Sequence, residues 1–397
     1  MSPSPTYTYL DYAASAPLRP EALAAERAYD ESPIAGANPN SLHSLGRAAA
    51  RELDRARSVL VRCLGGGFRP SDVIFTSGGT ESNNLALLGL AEAARSRDSR
   101  RRTVVVSAIE HDSVLEVAGP LRERGFEVRV VRPGSDGVVA PEAAAELVDG
   151  SCALVSVMAA NNETGVIQPV AELAATAHAA GALFHTDAVQ AFCRIPLDLA
   201  GVDAVSVASH KLGGTVGVGA LVVRGRVSVK AQLVGGGQEL GRRGGTQDVR
   251  GAVTFAAVAE ALSARLAESR AATAERADAL YARICAAGTG IVPTTEARTG
   301  EGRLPGIVSV MVPGLDSETL ILQLDELGFE VSAGSACSSG SLDPSHVLSA
   351  MGIARNDALG SLRVSFDERV SADDLDRFAD ALLGVVSTHH GARGRLR

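Results

Sequence analysis

Three side chains in this sequence have the types and settings needed for chemistry. Asp187 and Lys211 each close a short apolar run, and Cys337 stands alone among small residues. The stretch from His185 to Lys211 reads HTDAVQAFCRIPLDLAGVDAVSVASHK. Ala182-Leu183-Phe184 leads into His185-Thr186-Asp187, and Ala204-Val205-Ser206-Val207 leads into Ser209-His210-Lys211. Both runs have the pattern of a strand buried on both faces. A helical turn and a proline-containing crossover lie between them, so the stretch reads as one βαβ unit. Ligands of such sheets sit beyond the carboxyl ends of the strands, which is where Asp187 and Lys211 fall. A carboxylate facing a reactive amine suits pyridoxal phosphate, an electron sink held through a lysine Schiff base with an acidic partner on its ring nitrogen. The lysine must be partly desolvated, so that some of it is neutral amine near neutral pH. An arbitrary Asp and Lys would be read as a helix cap and a surface lysine. Here both follow buried-strand patterns, and Gly213-Gly214 and Gly217 come next, which favours the cofactor.

Cys337 lies in Ser332-Ala333-Gly334-Ser335-Ala336-Cys337-Ser338-Ser339-Gly340-Ser341, with no bulky neighbour. A free cysteine is usually a small buried hydrophobe. This one has the surroundings of an exposed loop, which suits a nucleophile that reaches a substrate and swings away. An unreactive surface thiol stays open as the alternative. Asp343-Pro344 reads as an N-cap with proline at the first helical position, opening the helix of Val347, Leu348 and Met351.

The elements that must position these groups follow from periodicity. Asp72-Val73-Ile74-Phe75 is a strand, and Thr76-Ser77-Gly78-Gly79-Thr80-Glu81-Ser82-Asn83-Asn84 leads to an apolar helix. A strand, a glycine turn and a helix start make an anion site, to which Thr80 adds a hydroxyl. It is not a P-loop, since no Gly-Lys-Ser/Thr follows. Thr103–Ser107 is a strand delivering Glu110-His111 to the same edge, where a flat imidazole could lie on a ring or move a proton. Further strands are expected at 126–131, 153–158, 221–223 and 307–311. The strand at 153–158 ends in Asn161-Asn162-Glu163-Thr164-Gly165, whose asparagines could meet a phenolic oxygen or simply form a turn. Helices are expected over 21–30, 44–64, 251–287, 317–327 and 372–386. The loop from Gly235 to Thr246 is long enough to suggest a function. Strand–helix alternation ends near residue 262, where a domain boundary is expected. Residues 389–397 read as a basic, frayed tail.

Composition bounds the class. A chain of 397 residues, 46% hydrophobic, can build a large core, and its net charge of −8 argues against a nucleic-acid platform. No apolar run approaches the roughly 18 residues of a membrane span. The first residues show no basic-then-apolar leader, and the five cysteines are scattered without a CxxC pair, so reduced thiols in a cytoplasm are expected, with no cysteine-only zinc site.

Taken together, YLDYAAS, TSGGTESNN, EHDSVLE, NNETGV, HTDAVQ, SHKLGG, GGGQE, RRGGTQDV and SAGSACSSGSLDPSHVL, spread from Tyr9 to about Leu375, resemble the cysteine desulfurases related to NifS and IscS, members of the class-V aminotransferases. The resemblance implies an α/β, aspartate-aminotransferase-like fold of type I. Its large domain, with a mostly parallel seven-stranded sheet, would span 16–262. A smaller α+β domain of 1–15 and 263–397 would carry the cysteine loop at about 332–343. The resemblance further implies that Lys211 is the Schiff-base lysine, that Asp187 pairs with the ring nitrogen, and that His111 stacks on the ring and moves protons. Asn162 and Gln190 would face the phenolic oxygen. Gly79, Thr80, Ser209 and His210 would hold the phosphate, and Thr246 would reach the phosphate of a neighbouring copy in a homodimer. Arg363 and Asn38 would contact the substrate carboxylate. The implied reaction removes sulfur from L-cysteine, leaves L-alanine and puts a persulfide on Cys337. A sulfur-acceptor protein would take it, for iron–sulfur cluster assembly, tRNA or DNA thiolation, or a sulfur-bearing natural product. Selenocysteine lyase or aminotransferase activity is the alternative; no membrane or direct nucleic-acid binding is expected. Two positions depart from the family's pattern. Ala208-Ser209-His210-Lys211 carries its serine one residue later than usual, and Arg243-Gly244-Gly245-Thr246 has glycine for serine at 244. Ser209 is expected to reach the phosphate from a different angle.

Overall fold

The computed structural model describes residues 7–286, 288, 290–334 and 343–394. In chain order its strands are β1 (Thr8–Tyr9), β2 (Val73–Thr76), β3 (Thr103–Ser107), β4 (Glu127–Val131), β5 (Cys152–Ser156), β6 (Leu183–Asp187), β7 (Ala204–Ala208), β8 (Gly219–Val223), β9 (Val292–Pro293), β10 (Ile307–Met311), β11 (Phe329–Glu330) and β12 (Ser361–Ser365).

Seven of them form one sheet in the order β2-β8-β7-β6-β5-β3-β4. The pairs from β7 through β4 are parallel, and β8 runs antiparallel to both β7 and β2. The expected type I α/β architecture is therefore present. Burial follows from two-sided cover. On one face Val104, Val106, Leu154 and Leu221 pack with Leu85, Leu87 and Leu88 of the helix Gly79–Arg97. On the other, Val105, Val155, Phe184, Val205 and Val222 pack with Leu173 and Ala177 of Val170–Ala179 and with Leu60 and Phe255. Successive side chains of a strand point to opposite faces, so Val104 and Val105 belong to different cores. β6 and β7 are the expected parallel pair; their connection forms turns, with Phe192 N–H bonded to Ala188 O, and no regular helix.

A third core joins Leu10 and Tyr12 to Leu280, Ile284, Val308, Val310, Leu362, Val364 and Phe378. It lies against the antiparallel order β12-β10-β9, while β1 pairs in parallel with β11. We propose on this segregation the division into 16–262 and 1–15 with 263–397; Ala16 already belongs to the third core.

Three expectations change. The helix expected over 251–287 is two, Val249–Ala264 and Leu266–Cys285, broken at Arg265 with φ −118°. Helix formers run through the break. Tertiary contacts mark it instead: the Arg265 guanidinium pairs with Glu21. The last helix continues to Gly394, through residues read as frayed tail. The helix after the cysteine segment is His346–Ala350, and its N-cap is Ser345, whose hydroxyl accepts the N–H groups of Val347 and Leu348. Asp343 instead accepts from Arg355. No helix among the described residues is long and apolar enough to cross a membrane.

Candidate active site

The carboxyl ends of β3, β5, β6 and β7 and the start of the helix Gly79–Arg97 converge on a cavity of about 260 Å³. Asp187, the last residue of β6, is 6% exposed. Its Oδ2 accepts from Asn83 Nδ2 at 2.6 Å and its Oδ1 from Val189 N–H at 2.9 Å. Two donors hold a buried carboxylate in one orientation at the cavity wall.

Lys211 sits in the single turn His210–Leu212 that follows β7. Its Nζ donates to Ala13 O and Ala14 O, each at 2.8 Å. Burial brings its pKa down to about 8, assisted by the nearby guanidinium groups of Arg363 and Arg194. About a tenth is thus free amine at pH 7, far more than for an exposed lysine, as a nucleophilic lysine requires. Arg194 donates to Lys211 O at 2.7 Å and to Gln190 Oε1 at 3.1 Å, and Gln190 Nε2 donates to Ala13 O at 2.9 Å.

His111 caps the short helix Asp112–Leu115, its Nδ1 accepting Ser113 N–H at 3.0 Å. An accepting Nδ1 puts the proton of a neutral ring on Nε2. Ser113 Oγ also accepts from Asn83 Nδ2 at 2.9 Å, so Asn83 ties the His111 support to Asp187. His210 bonds through Nδ1 to Ser15 Oγ at 3.2 Å; burial, then Lys211 and Arg194, pull its pKa down to about 4, so it is neutral at pH 7.

The anion cradle expected at the glycine turn fits the local geometry. The helix starts at Gly79 behind Gly78, which has φ +152° and offers no side-chain cap. First-turn N–H groups lack helical acceptors and carry the positive end of the dipole. A Cβ on Gly79 would come within 3.0 Å of Val189 Cγ2, so glycine keeps this approach open. The residues present therefore fit pyridoxal phosphate: a buried acceptor carboxylate, a free amine and an uncapped helix start face one space.

Of the expected residues, Gly79, Thr80, His111, Asn162, Asp187, Gln190, His210, Lys211 and Arg363 line this cavity. Ser209 does not. It is fully buried, its Oγ has no partner, and that oxygen lies 2.1 Å from where a Cβ on Gly214 would stand. The expected phosphate contact from Ser209 is thereby corrected. Moving a serine by one residue at a strand end turns it to the opposite side, and Ala208 takes the cavity-facing position. Asn38 and Thr246 are exposed and outside the cavity lining, with Asn38 Oδ1 accepting from Asn40. Cys337 lies outside the described residues.

Arg363, on β12, is 1% exposed. Its Nη1 donates to Asn162 O at 2.9 Å and Gly334 O at 2.6 Å, and its Nη2 pairs with Asp11 Oδ1 at 2.6 Å. Sequence reasoning missed Asp11, Asn83, Ser113 and Arg194. It also missed two buried acids. Glu110 accepts from Ser107 Oγ and from Met158 N–H, and burial pushes its pKa up to about 8. Glu163 accepts from Ser345 Oγ, and burial raises its pKa too. His346, bonded to Glu110 O at 3.0 Å, is a further lining residue. Asn83, Glu110 and Glu163 stood inside quoted motifs, but nothing local separates them from their neighbours.

Residues 8–378 match the family model Aminotransferase class-V. The chain is 39% identical to the IscS-like cysteine desulfurase of Mycobacterium tuberculosis over 96% of each chain. It resembles the solved structure of a NifS-like protein with TM-score 0.87 and 33% identity, covering 96% of this chain and 100% of that one. SspA, solved in complex with cysteine, superposes with TM-score 0.77 and 30% identity over 90% of this chain and 98% of its own.

Proposed function

The chain belongs to the class-V aminotransferase family, among its NifS- and IscS-like cysteine desulfurases, and from that premise we propose how its residues divide the work. The enzyme is a cysteine desulfurase, a transferase that takes sulfur from L-cysteine and leaves L-alanine. The observation that carries the assignment of roles is the pairing of a Lys211 amine, its pKa brought down to about 8 by burial, with the buried Asp187 carboxylate across one cavity from an uncapped helix start.

Pyridoxal phosphate is the cofactor these groups would hold, and it supplies an electron sink that drains charge from the substrate Cα. Asp187 would hold the ring nitrogen, the turn at Gly79-Thr80 and His210 the phosphate, and Asn162 and Gln190 the phenolic oxygen. The Lys211 amine would take the Cα proton, and His111, with its proton on Nε2, would assist. Arg363 takes the substrate carboxylate in exchange for Asp11, whose ion pair keeps the guanidinium oriented beforehand. The Cys337 thiolate attacks the substrate sulfur. A sulfur–sulfur bond forms, the Cβ–S bond breaks, and its electron pair stays with Cβ, which takes a proton and leaves as the methyl of alanine. The persulfide then passes to an acceptor protein.

Thr246 would serve the second site of a homodimer; its exposure, with that of Leu42, Val216, Val234 and Leu240, supports a covered surface there. Unpaired Cys63, Cys152, Cys193 and Cys285 support a reducing, cytoplasmic setting. The test mixes purified holoenzyme, L-cysteine and a thiol reductant and counts alanine and sulfide. Equal yields are expected, and Cys337→Ala should still change the cofactor absorbance with cysteine yet release neither. Alanine release at the wild-type rate by that variant would remove Cys337 from the mechanism.

A further inference from the structure

A second cavity, of about 540 Å³, opens beside the helix Leu266–Cys285 and contains a charge left without its complement. Three arginines among the described residues are at least nine-tenths buried: Arg19, Arg303 and Arg363. Arg19 pairs with Asp367 and Glu368, and Arg363 pairs with Asp11. Arg303, 5% exposed, has no carboxylate within ion-pair distance among the described residues. Its guanidinium lies 4.0 Å above the Tyr281 ring. That ring is fixed, because its hydroxyl accepts Ser309 N–H at 2.8 Å and donates to Ser309 O at 3.3 Å. Arg303 Nη2 donates to Thr299 Oγ1 at 2.6 Å, while Nε is buried with no partner. The stem cannot withdraw, since Cγ is held against Gly165, where a Cβ would come within 2.9 Å.

A buried cation without an anion is strongly unfavourable, and a guanidinium in a fixed plane is shaped for a carboxylate. The same cavity is rimmed by Asp278, Glu296 and Glu301 and by one cation, Arg298, all exposed. A simple anion would meet a rim with an excess of negative charge on entry. A zwitterion would not, because its cation faces the rim as its carboxylate reaches the floor. We propose that this cavity is a binding site for a free α-amino acid, with the carboxylate on Arg303 and the ammonium toward the acidic rim.

Cys285, half-buried, lines the same cavity and reports on its occupancy. Burial raises its pKa, with Arg303 partly offsetting this, so it reacts slowly enough to follow at mildly alkaline pH. The experiment alkylates the holoenzyme with iodoacetamide and quantifies the Cys285 peptide by mass spectrometry while L-alanine is titrated. Alanine at ten times its Kd should slow Cys285 alkylation about tenfold, and sodium acetate at the same concentration should not. Arg303→Met should remove the protection. Because that variant replaces a buried residue, Glu296→Gln with Glu301→Gln, both on the exposed rim, provides a second arm and should weaken protection several-fold with the fold intact. Alkylation indifferent to alanine, equal protection by acetate, or protection that survives both sets of substitutions would each overturn the proposal.

Discussion

Glu110→Gln should stabilise the protein at alkaline pH and do so by an amount that shrinks as the pH falls. Glu110 is fully buried, and burial moves its pKa from the ordinary 4.5 to about 8, against the partial relief of the Ser107 hydroxyl and the Met158 N–H. One carboxylate oxygen has no donor at all. A folded-state pKa above the unfolded one means that the folded protein binds the proton more tightly. The stabilising contribution of that proton is complete below the unfolded value near 4.5, declines as pH rises, and is gone above about 8. At about 1.4 kcal/mol per unit, the whole interval amounts to roughly 5 kcal/mol and the part reached by pH 7 to roughly 3 kcal/mol, both upper figures because buried sites relax. Glutamine keeps the accepting oxygen for Ser107 and Met158 and cannot ionise. Urea unfolding of the apoprotein and the variant, measured side by side from pH 5.5 to 8.5, is the assay. The difference in stability should grow by about 1 kcal/mol per pH unit in favour of the variant. A difference that stays constant across that range would refute a protonated Glu110 in the folded protein.

Uptake of pyridoxal phosphate by the apoprotein should accelerate as pH rises and level off above about 8, where Lys211 is mostly free amine; stopped-flow absorbance follows it, and a plateau only beyond pH 10 would contradict a desolvated lysine. Ser209→Ala should leave cofactor affinity within about twofold, because removing an unpartnered buried hydroxyl takes away no made hydrogen bond, and a tenfold loss in an equilibrium titration would restore Ser209 to the phosphate site. Arg363→Lys should raise KM for L-cysteine by about 10- to 100-fold, as the paired N–H donors become a point charge, and unchanged KM would move substrate recognition elsewhere.

The sheet could be read from the chain because its strands are short apolar runs that end in polar residues, and β3 and β10 begin and end where periodicity puts them. The helix Ser44–Leu64 likewise carries Ala49, Leu53, Ala56 and Leu60 on its buried face. What failed has two different causes. Asp343-Pro344 satisfies every local rule for a helix start, yet Ser345 caps the helix because its hydroxyl also donates to the buried Glu163, from a turn 182 residues away. Ser209 was expected, from the family resemblance, to reach the phosphate from a different angle despite its shift of one residue, but such a shift at a strand end reverses the face. Alternation alone, counted from Val205 and Val207, would have turned it away.

The N-terminal segment shows the deeper limit, and it also explains how the site holds its shape. Residues 9–15 are the YLDYAAS motif, whose residue types do not tell what its backbone touches. In the fold, Asp11 pairs with Arg363 and its backbone bridges Ser365, Ala13 N–H donates to Ser365 Oγ at 2.9 Å, and the carbonyls of Ala13 and Ala14 receive the Lys211 amine. Ala13 O accepts Gln190 as well. One short segment thus joins the arginine of β12 to the lysine after β7, although about 350 residues separate Asp11 from Arg363. Backbone carbonyls carry no residue identity, so no motif can announce that they are the acceptors of a reactive amine. They follow only from where β1 pairs with β11 and where β12 lies beside it. The side chains that do chemistry are legible because chemistry restricts their type, whereas those that hold them in place are chosen by geometry the fold itself creates.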